Sequence, residues 1–321
     1  MKRAPSVPLN ASGQVPMAVI GVGYLGQHHA RILGGLKGAE LVAVCDILPE
    51  KKEEISEPLG ARFFNDYRDL ADHVSAVSIA VPTNLHYEIA RFFLERGKGV
   101  LIEKPITADL KQASLLLELV QEKGLTLMVG HTERFNPAII EARRHLDSPE
   151  FIESHRIGAF PGRSTDIDVL LDVMIHDIDL VLGTDRSGIK EVDAVGVAVL
   201  TDRIDIANAR LKMHSGCVAN LTASRVSQER LRKIRFFSRN QYLSVDCDKQ
   251  KVRRVTLQRA EEGGKASIAS EHLEIRQDEP LRIELECFVG NLINGTSPEV
   301  DGQAGLESLK AALAIRDCIV S

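Results

Sequence analysis

The sequence predicts an α/β protein: a doubly wound parallel sheet first, then a second α/β domain built on a large, mainly antiparallel open sheet. Three observations carry this. A glycine pattern G-x-G-x-x-G, formed by Gly21, Gly23 and Gly26, sits between an apolar run and a helix-compatible stretch. Further apolar runs recur with helical patterns between them, as strands covered on both faces do. After about residue 131 the segments become short, alternating and β-branched.

Residues 16–20 read as the first strand, 27–36 as a helix closing at Gly34-Gly35 and Gly38, and 41–45 as a strand ending at Asp46. Strands follow at 74–81, 100–102 and 125–129, with helices at 84–96 and 110–123. Asn136 as N-cap and Pro137 at the first helical position start another helix. Beyond 151, strands are expected at 192–200, 206–213, 218–223, 234–237 and 242–245, and helices at 169–182, 281–293 and 305–319. Residues 261–265 read as a hairpin tip or loop. This organisation gives a flexible tail over 1–14, a dinucleotide domain over 15–130 and a substrate and oligomerisation domain over 131–302. A closing helix over 303–321 is a candidate to pack back on the first domain.

The chain has 321 residues, and at roughly 150 residues per domain that suits two domains. Its 40 Lys+Arg against 45 Asp+Glu leave a formal charge of -5, with no basic block to attract nucleic acid or an anionic membrane. Five widely spaced cysteines without a C-x-x-C pair argue against a disulfide framework or structural zinc and suit a reducing cytoplasm. Pro5, Pro8 and Pro16 interrupt any signal-peptide core, and no apolar run is long enough for a membrane span.

Chemistry concentrates at four places. At the glycine turn, Gly21 allows the bend, Gly23 lets a pyrophosphate approach the backbone and Gly26 permits close helix packing. Asp46, at the end of the next strand, can accept the ribose hydroxyls and would repel a 2′-phosphate. NAD is therefore expected over NADP, although Lys51 and Lys52 offer partial compensation. Lys104, in Glu103-Lys104-Pro105, follows a strand at the carboxyl edge, where its ammonium can polarise a carbonyl or relay a proton; a solvated lysine before a turn proline is the alternative. Asp172, His176 and Asp179 share one face if their segment is an α-helix, and imidazole beside carboxylate suits proton transfer. A salt-bridged helix face competes with that reading, and a metal site lacks a second ligand cluster.

His131 and Arg134 also follow a buried strand, so Arg134 can bind an anionic or polyhydroxylated substrate or else form a salt bridge. Arg156, Arg163, Arg225, Arg230 and Arg232 lie near expected strand ends, where several can converge on a diphosphate. Neither a nucleophile elbow nor a Walker loop is present.

Taken together, Gly21 to Ala30, Val81-Pro82-Thr83-Asn84-Leu85-His86, Glu103-Lys104-Pro105, the D-x3-H-x2-D run Asp172 to Asp179 and the closing segment Glu286 to Ile319 resemble the Gfo/Idh/MocA family of NAD(P)-dependent sugar oxidoreductases. The resemblance runs from about Met17 to Ile319 and implies a Rossmann domain followed by an open-sheet domain that commonly forms dimers or tetramers. It implies cofactor contacts from Gly21, Gly23, Tyr24, Leu25, Gly26, Asp46, Val81, Pro82, Thr83, Asn84, His86, Glu103 and Lys104. By the same analogy His176 is the base, Lys104 the hydrogen-bond donor and relay, and Asp172 a sugar-holding or tuning group. His131, Arg134 and Arg163 join Asp172 and His176 as substrate contacts.

Two positions depart from the family pattern. Met174 replaces the usual glycine, which would narrow the pocket floor or alter helix packing, and Gly99 replaces a usual histidine. A narrower resemblance, in Gly130-His131-Thr132-Glu133-Arg134-Phe135-Asn136-Pro137 and His155 to Gly158, is to a subgroup often assigned as UDP-N-acetylglucosamine 3-dehydrogenases. Oxidation of a ring hydroxyl of a sugar or sugar nucleotide is therefore expected. A free-sugar or inositol dehydrogenase and a non-catalytic regulator are the alternatives.

Overall fold

The computed structural model describes residues 6–160, 167–258 and 267–320. The chain divides into two units, one of residues 1–131 with 281–306 and one of 132–280 with 307–321.

The first unit holds a six-stranded, all-parallel sheet. In chain order it contributes β1 (Val15–Ile20), α1 (Gly26–Leu33), β2 (Ala39–Cys45), the short α2 (Glu57–Leu59), β3 (Arg62–Phe64), β4 (Ala76–Ile79), α3 (His86–Glu95), β5 (Gly99–Glu103), α4 (Leu110–Lys123) and β6 (Leu127–Gly130). The spatial order is β3-β2-β1-β4-β5-β6, so the strand order reverses between β1 and β4. In open α/β sheets that reversal opens a crevice at the carboxyl ends of the strands, and the turns after β1 and β4 border it here. Every residue of β4 and β5 is buried, because helices cover both faces. Asp109 caps α4 by accepting from the Gln112 amide, and Gly124, at φ 64°, ends it in the left-handed region.

Gly99 has a packing reason. A Cβ there would lie 2.6 Å from Leu292 Cδ2, on the later helix Pro280–Asn294, and 3.3 Å from Ala76 Cβ. The three-residue β3 is too short to give a sequence signal.

The second unit carries α5 (Pro137–His145), β7 (Phe151–Ile157), α6 (Ile175–Thr184), β8 (Ile189–Val197), β9 (Ile206–Met213), β10 (Val218–Ser224), β11 (Leu231–Ser238), β12 (Gln241–Asp246), β13 (Lys251–Gln258) and β14 (Ser267–Leu273). Its eight strands run β14-β13-β12-β11-β7-β10-β9-β8, antiparallel throughout except for the β7–β10 pair. Alternation in β7 buries Ile152, Ser154 and Arg156 and leaves the residues between them half-buried. The helices α5 and α6 pack on the sheet, α5 at β12 and β13 and α6 at β7 and β10. Asn136 caps α5 through the Ala138 amide, as its sequence predicts. The hairpin tip expected at 261–265 lies outside the described residues.

One expectation needs correction. The helix expected over 169–182 begins as a π-helical turn, Leu170–Met174, and becomes α-helical only in α6; the Asp168 carboxylate accepts from the Leu170 and Leu171 amides at its start. The segment grouped with the first unit is 281–306, which includes most of α7 (Pro280–Asn294) and the opening of α8 (Gly302–Val320), where a Cβ on Gly305 would lie 2.6 Å from Val129 Cγ2. The rest of α8 belongs to the second unit, where Ser308 Oγ donates to Asp179 Oδ1 at 3.3 Å and Cys318 Sγ lies 3.8 Å from the Val192 carbonyl. No described helix is long and apolar enough to cross a membrane.

Candidate active site

The nucleotide turn shows why three glycines occur at this spacing. Gly21 has φ 78°, and a Cβ on it would lie 2.6 Å from the Ala80 carbonyl oxygen. A Cβ on Gly26 would lie 1.7 Å from the Gly21 carbonyl oxygen, whereas one on Gly23 meets nothing within 4 Å. Gly21 and Gly26 are thus required by the fold. Gly23 leaves open space at the N-terminus of α1, which fits a pyrophosphate held on backbone N–H groups. Asp46 is fixed beside this turn, accepting from the Val22 amide at 2.8 Å and the Leu48 amide at 3.0 Å. Tyr24, Leu25 and Ile47 are exposed around it. After β4, Val81, Pro82, Thr83 and Asn84 lead into a 3-10 turn, all of them exposed or half-buried. These residues fit NAD.

His86 does not belong with them. It is buried, with Nδ1 2.9 Å from the Pro105 carbonyl and Nε2 2.9 Å from the Val81 carbonyl, so it ties two loops together from beneath. Burial lowers the pKa of its imidazole, against the opposing pull of those carbonyls and Glu103.

Glu103, at the end of β5, is likewise a support. Its Oε1 lies 3.0 Å from His29 Nε2, its Oε2 accepts the Lys104 backbone N–H at 3.2 Å, and His29 Nδ1 lies 2.8 Å from Ser78 Oγ. Burial pushes the Glu103 carboxyl up, but His29 and then Lys104 outweigh it and hold the group below its usual range. Lys104 itself is half-buried, and its bond to Pro105 is cis. His131 is buried at the end of β6. The sequence reading included His29 only as part of the family's opening run and gave no role to Ser78. A histidine three residues past the last glycine was the one available signal.

In the second unit Asp172 lies on the π-helical turn and His176 on the first turn of α6, both half-buried. Asp179, three residues beyond His176 in the same α-helix, does not share their exposure and is buried. It pairs with Arg134, which donates from Nε to Oδ2 at 2.6 Å, from Nη2 to Oδ1 at 2.9 Å and from Nη2 to the Asp179 carbonyl at 2.8 Å. The side chains are 5% and 1% exposed, so Arg134 is a structural clamp rather than the substrate contact expected of it. Gly183 makes room for it, since a Cβ there would lie 2.1 Å from the guanidinium.

Arg156 forms a second clamp. It donates to both oxygens of Asp177, at 3.0 and 2.9 Å, and to Glu133 Oε1 at 2.8 Å. Burial alone would lower the pKa of its guanidinium, but Asp177 and Glu133 raise it. Residues 177 and 179 are thus each anchored by a buried arginine, which fixes the helix that bears His176. Arg225 is also committed, to Asp205 Oδ1 at 2.9 Å and the Ile167 carbonyl at 2.8 Å. Arg230 and Arg232 stay nearer the surface beside Asp248. Arg163 lies outside the described residues. Met174 is fully buried, so its side chain bears on helix packing.

A family model described as an oxidoreductase family with an NAD-binding Rossmann fold matches residues 15–131. UDP-N-acetylglucosamine 3-dehydrogenase of Acidithiobacillus ferrooxidans is 36% identical over 299 residues, covering 93% of this chain and 95% of that protein. A solved structure of that enzyme matches with a TM-score of 0.89, covering 95% of this chain and 98% of the other. The NAD(+)-linked scyllo-inositol 2-dehydrogenase of Bacillus subtilis is 30% identical over 233 residues, covering 67% and 68% of the two chains.

Proposed function

We propose that this chain, which belongs to the Gfo/Idh/MocA family of NAD-dependent oxidoreductases, oxidises UDP-N-acetylglucosamine at C3 to the 3-keto sugar nucleotide. The observation that carries the substrate is the likeness to a UDP-N-acetylglucosamine 3-dehydrogenase along nearly the whole chain, the substrate-side unit included. Bound NAD supplies the hydride acceptor, and the protein's part is positioning and proton transfer. His176 takes the proton of the ring hydroxyl. Lys104 donates a hydrogen bond to the same oxygen as it becomes a carbonyl, and relays the proton onward. Asp172, four residues before His176, orients the sugar.

A nucleotide sugar also carries a diphosphate. Arg156 and Arg225 are committed to buried carboxylates, so this reading assigns the surface residues Arg230 and Arg232 to that group. The half-buried sheet residues Phe151, Phe237 and Tyr242, whose rings meet in series, support a homodimer or homotetramer through that face. The five widely spaced cysteines, with no C-x-x-C pair, support a cytoplasmic setting.

The test is NADH formation with UDP-N-acetylglucosamine, inositols, free aldoses and sugar phosphates, each supplied with NAD. Turnover confined to the nucleotide sugar is expected. Efficient oxidation of an inositol would move the assignment to the second reading, which the Bacillus subtilis relative favours. No reduction with any polyol would leave a non-catalytic regulator.

A further inference from the structure

The first unit contains a buried polar chain that the proposed reaction does not use. His29, on α1, is 1% exposed and lies between Ser78 of β4 and Glu103 of β5. Because Glu103 is held ionised, its oxygens can only accept, so His29 Nε2 carries the proton and donates to Oε1. On its other side, His29 Nδ1 lies 2.8 Å from the Ser78 hydroxyl oxygen. The second Glu103 oxygen accepts the backbone N–H of Lys104. The carboxylate is also confined from the side: a Cβ at Gly130 would lie 3.1 Å from both Glu103 Cδ and Oε2.

Stability alone does not account for this arrangement. Apolar side chains of similar volume often replace buried ionic bridges with neutral or favourable effect. The chain instead joins the helix that opens at the nucleotide turn to the residue where Lys104 leaves the sheet.

We infer that His29 is a positioning residue for Lys104, acting through Glu103 to fix the backbone from which the Lys104 side chain departs. The inference rests on the role assigned above to Lys104. His29 touches neither substrate nor cofactor, so its loss should act on turnover more than on cofactor affinity.

The experiment is steady-state kinetics on four variants of the full chain. His29→Asn keeps a group near Ser78 but stops short of Glu103, and kcat should fall about tenfold or more while the NAD KM stays within about twofold. His29→Gln places an amide nitrogen near the former Nε2 position and should keep kcat within about threefold of the parent. Glu103→Gln should lose turnover as His29→Asn does, and the double variant should be no worse than the poorer single within about threefold.

Equal losses in His29→Asn and His29→Gln, or losses that multiply in the double variant, would overturn the inference in favour of simple packing. Lys104→Met separates this inference from its premise. If Lys104→Met leaves kcat unchanged, the role of Lys104 fails first. If it abolishes turnover while His29→Asn does not slow the enzyme, only the positioning inference fails. Should His29→Asn not fold, Glu103→Asp carries the same expectation, since it keeps the charge but withdraws the carboxylate from the Lys104 N–H.

Discussion

A methyl group added at Gly26 and one added at Gly23 meet different obstacles. At Gly26 it would sit 1.7 Å from a backbone carbonyl oxygen that cannot move without opening the turn, so Gly26→Ala should cost about 3 kcal/mol or more in denaturant unfolding. At Gly23 it meets no protein atom, so Gly23→Ala should hold stability within about 0.5 kcal/mol. Its effect should appear instead as a roughly tenfold rise in the NAD KM, equivalent to about 1.4 kcal/mol of lost binding. For the chemistry, Lys104→Met and His176→Asn should each lower kcat by about a hundredfold or more with little change in the NAD KM. Unchanged turnover in both would remove the assignment. The glycines were legible because their spacing between a strand and a helix marks a nucleotide turn. Arg134 was not, since a substrate-binding arginine and a buried structural one look identical in sequence until Asp179 is seen beside it.

Between residues and whole units, the element that matters most is α6 with its π-helical entry. Its position depends on two arginines that reach it from the start of the second unit and from β7. Removing one partner of a buried pair leaves an uncompensated charge, so Arg134→Met and Arg156→Met should each destabilise the protein by about 3–5 kcal/mol. Chemical denaturation with Asp179→Asn and Asp177→Asn as paired controls checks this, and a loss under about 1 kcal/mol would mean the charges are solvated. The sequence spacing of Asp172, His176 and Asp179 pointed to one helix face, but spacing does not say what packs on that face. Asp179 is covered by Arg134, whereas Asp172 and His176 remain half-buried. Strands β13 and β14 went unlocated for another reason: near the sheet edge they carry charged residues and little apolar alternation.

For the whole molecule, acid is the informative variable. The buried imidazole of His86 has its pKa held below the ordinary 6.5, so on unfolding it takes up a proton that the folded protein refuses. Its contribution to stability is complete above that value and is lost as pH falls below it. Glu103 and Glu133 are held below the ordinary 4.5, so their contributions are present above 4.5 and disappear as pH falls through the folded-state values. Thermal midpoints measured from about pH 7 to about pH 2 should therefore fall in two stages, and His86→Gln should flatten the upper one. A midpoint constant down to about pH 5 would contradict this account of His86.

By itself the sequence determined the class of each unit, the nucleotide turn and the presence of Lys104, Asp172 and His176. Apolar patterning, helix capping and the spacing of the turn glycines are carried within a few residues of sequence. Tertiary structure alone decided which charged side chains remain available for chemistry. A buried ion pair forms between residues tens of positions apart, and its partners are chosen by strand order and helix phase, which no short window of sequence contains.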